Sequence, residues 1–263
     1  MRTPKESEVF PGVHTRRYFL ENSLATAAAI FTLTGLPQNG FAQQQVKPTG
    51  IPGADKVTWD EFLKQSLPIA QELIVEPTFS LDEYLYRIGS LATRLKDIPD
   101  SPLGSYAAVD PRVWFGPSFR GTPFFIIQWR MEPGAVLPPH NHPHASVCTV
   151  GYAGEVRLRN FEVIGEAPAY ASKKTFQIRE THNEMLTGGR INTLSPRRDN
   201  IHCFEAGRQG ARGIDINTMH GEAAPFSFLN VGKKPLDVEK QIFEATWSDI
   251  GRTPGSLSPR SYR

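Results

Sequence analysis

Beyond Pro99 the chain is written in short runs of β-branched and aromatic residues closed by glycine or proline, and this grammar limits its possible folds most tightly. Val113-Trp114-Phe115, Phe124 to Trp129, Val147 to Tyr152, Glu155 to Leu158, Thr175 to Ile178, Ile201 to Phe204 and Gly213 to Ile216 read as strands. Glu132-Pro133-Gly134, Ala153-Gly154 and Gly188-Gly189 read as the turns between them. Such spacing predicts a mainly β sandwich or small barrel. The 22 prolines and 22 glycines in 263 residues point away from a helical bundle. The stretch to about Trp247 is expected to add an edge strand, and residues 251–263 read as a tail.

Residues 58–100 carry a different period. Thr58-Trp59-Asp60-Glu61 is a capping box, followed by Phe62, Leu63 and Leu67 on the face of Trp59. Ser80-Leu81-Asp82-Glu83 repeats the signal, with a stripe of Leu81, Tyr84, Leu85, Ile88, Leu91 and Leu95. Two helices are expected here, packed on the β domain of residues 101–250. Residues 43–57, rich in Gln, Pro and Gly, read as a flexible leader.

Residues 1–42 read as an export signal. Thr15-Arg16-Arg17-Tyr18-Phe19-Leu20 has the twin-arginine pattern; an alanine-rich apolar stretch follows, and Gly40-Phe41-Ala42 offers small residues for cleavage. The apolar stretch is too short and too rich in Thr, Ala and Gly for a membrane anchor. The expectation is a protein handed folded to the twin-arginine machinery and released to the periplasm or outside, with no stable membrane anchor. Prior folding suits loading of a metal before export. With 29 basic and 27 acidic residues, a net charge of +2, no broad field points to nucleic acid. Cys148 and Cys203, the 2 cysteines, exclude a disulfide scaffold.

The chemistry is carried by histidine. His140-Asn141-His142 puts two imidazoles at i and i+2 of extended chain, on one side, so both can reach one ion. The third ligand must come from another strand, and His202 within Asn200-Ile201-His202-Cys203-Phe204 is the best candidate. His144 is close enough to serve as a fourth ligand, a supporting group or a substrate contact, or to be an exposed turn residue. His14 lies in the signal; His182 and His220 have no partner pattern. On a regular strand Cys203 points away from the ligands, and Cys148 shares their parity only if the chain near Pro143 does not bulge.

Gly134-x5-His140-x-His142 with Gly154 at a strand turn resembles the first cupin motif, and Pro196 followed by His202 resembles a second, degenerate one. The glutamate of the first motif is missing: Ser146 and Val147 stand where it would fall. Pro139-His140-Asn141-His142-Pro143 and Asn200 to Ala206 resemble the thiol dioxygenases, above all the 2-aminoethanethiol dioxygenase and plant cysteine oxidase family. The resemblance spans about residues 105–247. It implies a cupin-type double-stranded β-helix, a jelly-roll barrel, with iron(II) or another divalent first-row metal on His140, His142 and His202. Asp215 matches an Asp of the family, either orienting a substrate amine or satisfying a turn. The family's Pro-Pro-Tyr segment is replaced by Asn217-Thr218-Met219-His220.

Three neutral imidazoles without a carboxylate leave a bound divalent ion its full charge, which suits lowering a thiol's pKa beside dioxygen. The expectation is an iron(II) oxidoreductase converting a small thiol or N-terminal cysteine to a sulfinic acid with O2. A non-catalytic metal-binding cupin that holds a small ligand, and a cupin oxygenase or isomerase with another substrate, are the alternatives.

Overall fold

Two local signals start the chain's helices. In the computed structural model, which describes residues 55–75, 80–105, 109–121, 124–170, 172–220 and 227–248, α1 runs Trp59–Val75 and α2 Leu81–Ala92. The Thr58 amide donates to Glu61 Oε2 at 2.8 Å while the Glu61 amide donates to Thr58 Oγ1 at 3.3 Å, a reciprocal capping box. Ser80 caps α2 by accepting from the Glu83 amide at 3.4 Å. The stripe of α2 ends one turn early: Thr93 caps the helix, and Leu95 instead bridges to Val57 from the turn beyond. No helix among the described residues is long and apolar enough to cross a membrane. The expected signal, the tail and most of the leader fall outside the described residues.

The strands are β1 (Gly104–Ser105), β2 (Val113–Arg120), β3 (Phe124–Met131), β4 (Val136–Asn141), β5 (Ala145–Ile164), β6 (Phe176–Leu186), β7 (Arg190–Leu194), β8 (Ile201–Met219), β9 (Leu229–Val231) and β10 (Ile242–Trp247). They form one antiparallel sheet in the order β1-β2-β3-β8-β5-β6-β10-β9, with β4 on β8 and β7 on β5. The sheet curls into a double-stranded β-helix because its two long strands, β5 and β8, serve both walls. The first half of β5 pairs with β7 and the end of β8; its second half pairs with β6 and the start of β8. Ala153-Gly154, expected as a turn, is a bend within continuous β5. Gly154 has φ +69°, and a Cβ there would lie 2.1 Å from the Gly210 carbonyl oxygen, so the two strands cross too closely for a side chain. The last strand is not at the edge: β10 lies between β6 and β9.

Alternation sorts side chains between two sides of the first wall. Phe124, Ile126, Cys148, Val150, Ile214 and Ile216 pack against Phe62, Tyr84, Leu85 and Ile88 of the helices. The Tyr84 hydroxyl meets that of Thr218 within this layer. Trp129, Met131, Leu137, Val156, Leu158, Phe204, Ala206, Ala211 and Phe228 fill the barrel. Fully burying one such aromatic side chain contributes roughly 1.5–3 kcal/mol. Both long strands change parity at the bend. In β8, Phe204 and Ala206 point inward before it, and Ala211 after it; the register of β5 against β8 shifts at Gly151/Ala153 and Gly154/Val156.

Candidate metal centre

The site begins with an irregularity in β4. Leu137 stands opposite Phe204 and His140 opposite His202, so β4 spends one residue more than β8 between the two pairs. Pro138-Pro139 absorbs that residue, and because proline has no N–H the bulge forfeits no ladder donor. The bulge turns His140 inward and brings the Pro138 carbonyl to 2.9 Å from His140 Nδ1. A carbonyl only accepts, so Nδ1 carries the proton and the Nε2 lone pair points into the barrel.

Three Nε2 atoms meet there. His202 Nε2 lies 3.0 Å from that of His140 and 3.1 Å from that of His142. Nitrogens bonded at about 2.1 Å and at right angles to one ion stand about 3.0 Å apart, so the spacing fits a single first-row metal. The neighbouring backbone secures the set. The His142 amide donates to the Asn200 carbonyl at 3.0 Å, and Asn200 Nδ2 donates to the His142 carbonyl at 2.8 Å. Asn141 takes the Ser227 amide at 2.8 Å on Oδ1 and donates to the Tyr170 hydroxyl at 3.1 Å.

Burial sets the electrostatics. Phe204 stacks edge-on against His202 with centroids 4.7 Å apart, and the Phe228 ring is 5.5 Å from that of His140. Loss of solvent pushes the His140 pKa down to about 4 against the pull of the Pro138 carbonyl, and holds those of His142 and His202 well below the ordinary imidazole value. All three rings are neutral at pH 7, the state a metal requires. Among the described residues the group contains these three histidines and no acid. Ser146, at one position of the missing glutamate, is buried and hydrogen-bonded to His220 Nε2 at 2.8 Å.

Asp215 occupies the barrel side of the other half of β8, outside the group of ligand atoms. Thr149 Oγ1, directly across on β5, donates to it at 2.7 Å. Burial raises its pKa to about 7, with the Thr149 bond opposing the shift. Gly213 makes room above it: a Cβ there would lie 2.0 Å from the Trp129 indole. That ring lies 5.3 Å from Phe204, so an aromatic layer connects the surroundings of Asp215 to His202. His144 sits on the exposed turn between β4 and β5, where its carbonyl takes the His220 amide at 2.8 Å. His182 also has a neighbour, Asp199 Oδ2 at 3.8 Å. Cys148 faces the helices, and burial raises its thiol pKa. Cys203 packs with Phe161, Ile178 and Trp247, away from the imidazoles.

Sequence reasoning missed the Pro138 carbonyl, Thr149 and the buried pair Asn160 and Asn192, joined at 3.0 Å. An asparagine amid Val156, Leu158 and Phe161 was the available signal for the last.

Residues 107–218 match the family model PCO_ADO. No curated protein matches the sequence. Solved structures with similar folds include KdgF from a Halomonas species, at 15% identity, covering 46% of this chain and 89% of that one with a TM-score of 0.32. The Cnp3 cupin domain of Schizosaccharomyces pombe matches at 13% identity, covering 47% and 72% with a TM-score of 0.34. A double-stranded β-helix protein of Klebsiella pneumoniae matches at 13%, covering 49% and 97% with a TM-score of 0.34.

Proposed function

With residues 107–218 belonging to the PCO_ADO family, the cysteamine and plant cysteine oxidases of cupin fold, we propose that this protein is an iron(II) thiol dioxygenase acting on a small thiol or an N-terminal cysteine. The observation that carries the reading is the convergence of three neutral imidazoles, those of His140 and His202 buried and that of His142 half-buried, with no carboxylate among them in the described residues. His140, His142 and His202 would hold iron(II), and the bound ion would supply the redox chemistry for adding both atoms of dioxygen to a thiol sulfur, RSH + O2 → RSO2H.

The chain's own residues do the remaining work. Pro138 keeps the His140 proton on Nδ1. Phe204 and Phe228 shield the rings of His202 and His140 from water, and Trp129 extends the aromatic layer beside them. Asp215, with a pKa raised to about 7, is suited to accept the thiol proton, or to meet the amine that such substrates carry beside the thiol. We take the protein to act in the periplasm or outside the cell after twin-arginine export, a setting in which small thiols arrive from solution.

Anaerobic loading with iron(II), followed by oxygen uptake over a panel of thiols, tests the proposal. Thiol-dependent uptake with a product 32 Da heavier, two oxygen atoms, is expected. Iron-loaded protein that consumes no oxygen with any thiol on the panel sinks it.

A further inference from the structure

His140 has its outer nitrogen on a carbonyl; His202 does not. His202 Nδ1 is buried and has no hydrogen-bond partner, although its Nε2 faces the other two imidazoles. Directly across the ladder on β5 stands Asn160, fully buried, whose Oδ1 is likewise without a partner. A buried donor and a buried acceptor are thus adjacent on one strand pair, each complementary to the other's deficit.

The orientation of the Asn160 amide is not arbitrary. Its Nδ2 donates to Asn192 Oδ1 at 3.0 Å and approaches the Thr193 carbonyl at 3.4 Å. A carbonyl can only accept, so nitrogen must face Thr193 and oxygen must face the other way. Asn192 then donates through Nδ2 to Glu184 Oε1 at 3.4 Å. From Asn160 to the Glu184 carboxylate both links run in the same direction, donor to acceptor, and they leave Asn160 Oδ1 as the open acceptor at the His202 end.

We propose that Asn160, Asn192 and Glu184 form a polarised relay that accepts a hydrogen bond from the Nδ1–H of His202, directly or through one bridging water, and so positions its Nε2 lone pair as a ligand. Metal-bound histidines are ordinarily held by a carboxylate or carbonyl on the second nitrogen. Here the carboxylate acts from two amides away. Aligned hydrogen bonds polarise one another, so the charge of Glu184 is felt at the imidazole as greater basicity of Nε2. Asn160, Asn192 and Glu184 are positioning residues: none is placed to touch the metal or a substrate. The relay rests on the metal reading of the three histidines and not on thiol oxidation.

The test uses the full protein and two measurements. The first needs no metal: in 15N-labelled protein, long-range 1H–15N spectra, with His202 assigned from its loss in His202→Gln, give the tautomer of its ring. The Nδ1–H form is expected in the wild type, and a mixture in Asn160→Leu. The second is Co(II) affinity by chelator competition, with the ligand-field spectrum recorded alongside. Asn160→Leu is expected to weaken binding about 10–100-fold. A folded Asn160→Leu with unchanged tautomer and unchanged affinity overturns the relay. Should Asn160→Leu not fold, Glu184→Gln at the half-buried end decides. A moved His202 15N shift with affinity lower by about threefold supports the relay, and unchanged values for both overturn it. A protein that binds no Co(II), yet whose His202 tautomer follows Asn160, keeps the relay and removes the metal reading instead.

Discussion

The two ends of β8 bury ionisable groups of opposite kind, and desolvation takes both toward neutrality. At the His202 end it pushes imidazoles down, that of His140 to about 4. At the Asp215 end it pushes a carboxyl up to about 7. One physical cause thus prepares one end to hold a cation with no proton to displace, and the other to exchange a proton near neutral pH. Partners then differentiate them. The imidazoles face one another across about 3 Å, whereas Asp215 has a hydroxyl donor and aromatic surroundings.

Removing a ligand is the most severe way to break this division of labour. His202→Ala should reduce bound metal from about one ion per chain to near none, read by metal analysis after anaerobic loading and desalting; Asp215→Asn should leave it unchanged. A metal-free Asp215→Asn protein would show that the two ends are not separate. Next in size, Asp215→Asn should lower thiol-dependent oxygen uptake on the order of 10³-fold with the metal retained, in the range expected for loss of a positioned proton acceptor.

Stability against pH sharpens the same contrast. The folded pKa of Asp215, about 7, lies above the ordinary 3.8, so in that window the folded chain holds a proton that the unfolded chain has lost. Its contribution is fully present below about pH 4, declines as pH rises, and is gone above about pH 7. Urea unfolding of metal-free protein should therefore show Asp215→Asn gaining on the wild type by on the order of 2–4 kcal/mol between pH 4 and pH 8. A difference flat with pH would mean the carboxyl is not raised. The smallest effect is expected from Thr149→Val. Loss of its hydroxyl should cost about 1 kcal/mol at pH 8 and move the Asp215 titration further toward alkaline pH, seen in the same unfolding series.

What was legible in the sequence follows the range of the interactions. The starts of α1 and α2 could be read because a capping box is settled within four residues, as Thr58 and Glu61 show. His140 and His142 could be paired because no bulge lies between them. Most strands were visible, but β1, β7, β9 and the continuity of β5 and β8 were not. A glycine at a turn and a glycine at a bend have the same local chemistry, and only the close crossing of Gly154 and Gly210 distinguishes them. Simple alternation would put His202 and Asp215 on opposite faces; only the parity change at the bend turns both inward. The Pro138 bulge and the Asn160–Asn192 contact depend on strands far apart in the chain, so neither could be read locally.

That parity change bears on how such a chain can vary in length. In β8, one residue lost or gained between Ala206 and Ala211 would keep the strand paired on one side of the change and turn every side chain on the other side inside out. Either His202 or Asp215 would then leave the barrel while its own neighbours in sequence stayed intact. Apart from Gly210, which has φ +72° and no room for a Cβ, substitutions can accumulate in this bend singly, but length can drift only in steps of two, or with a compensating step in β5. The count of residues across the bend of β8 is therefore as much a part of the site as the residues that line it.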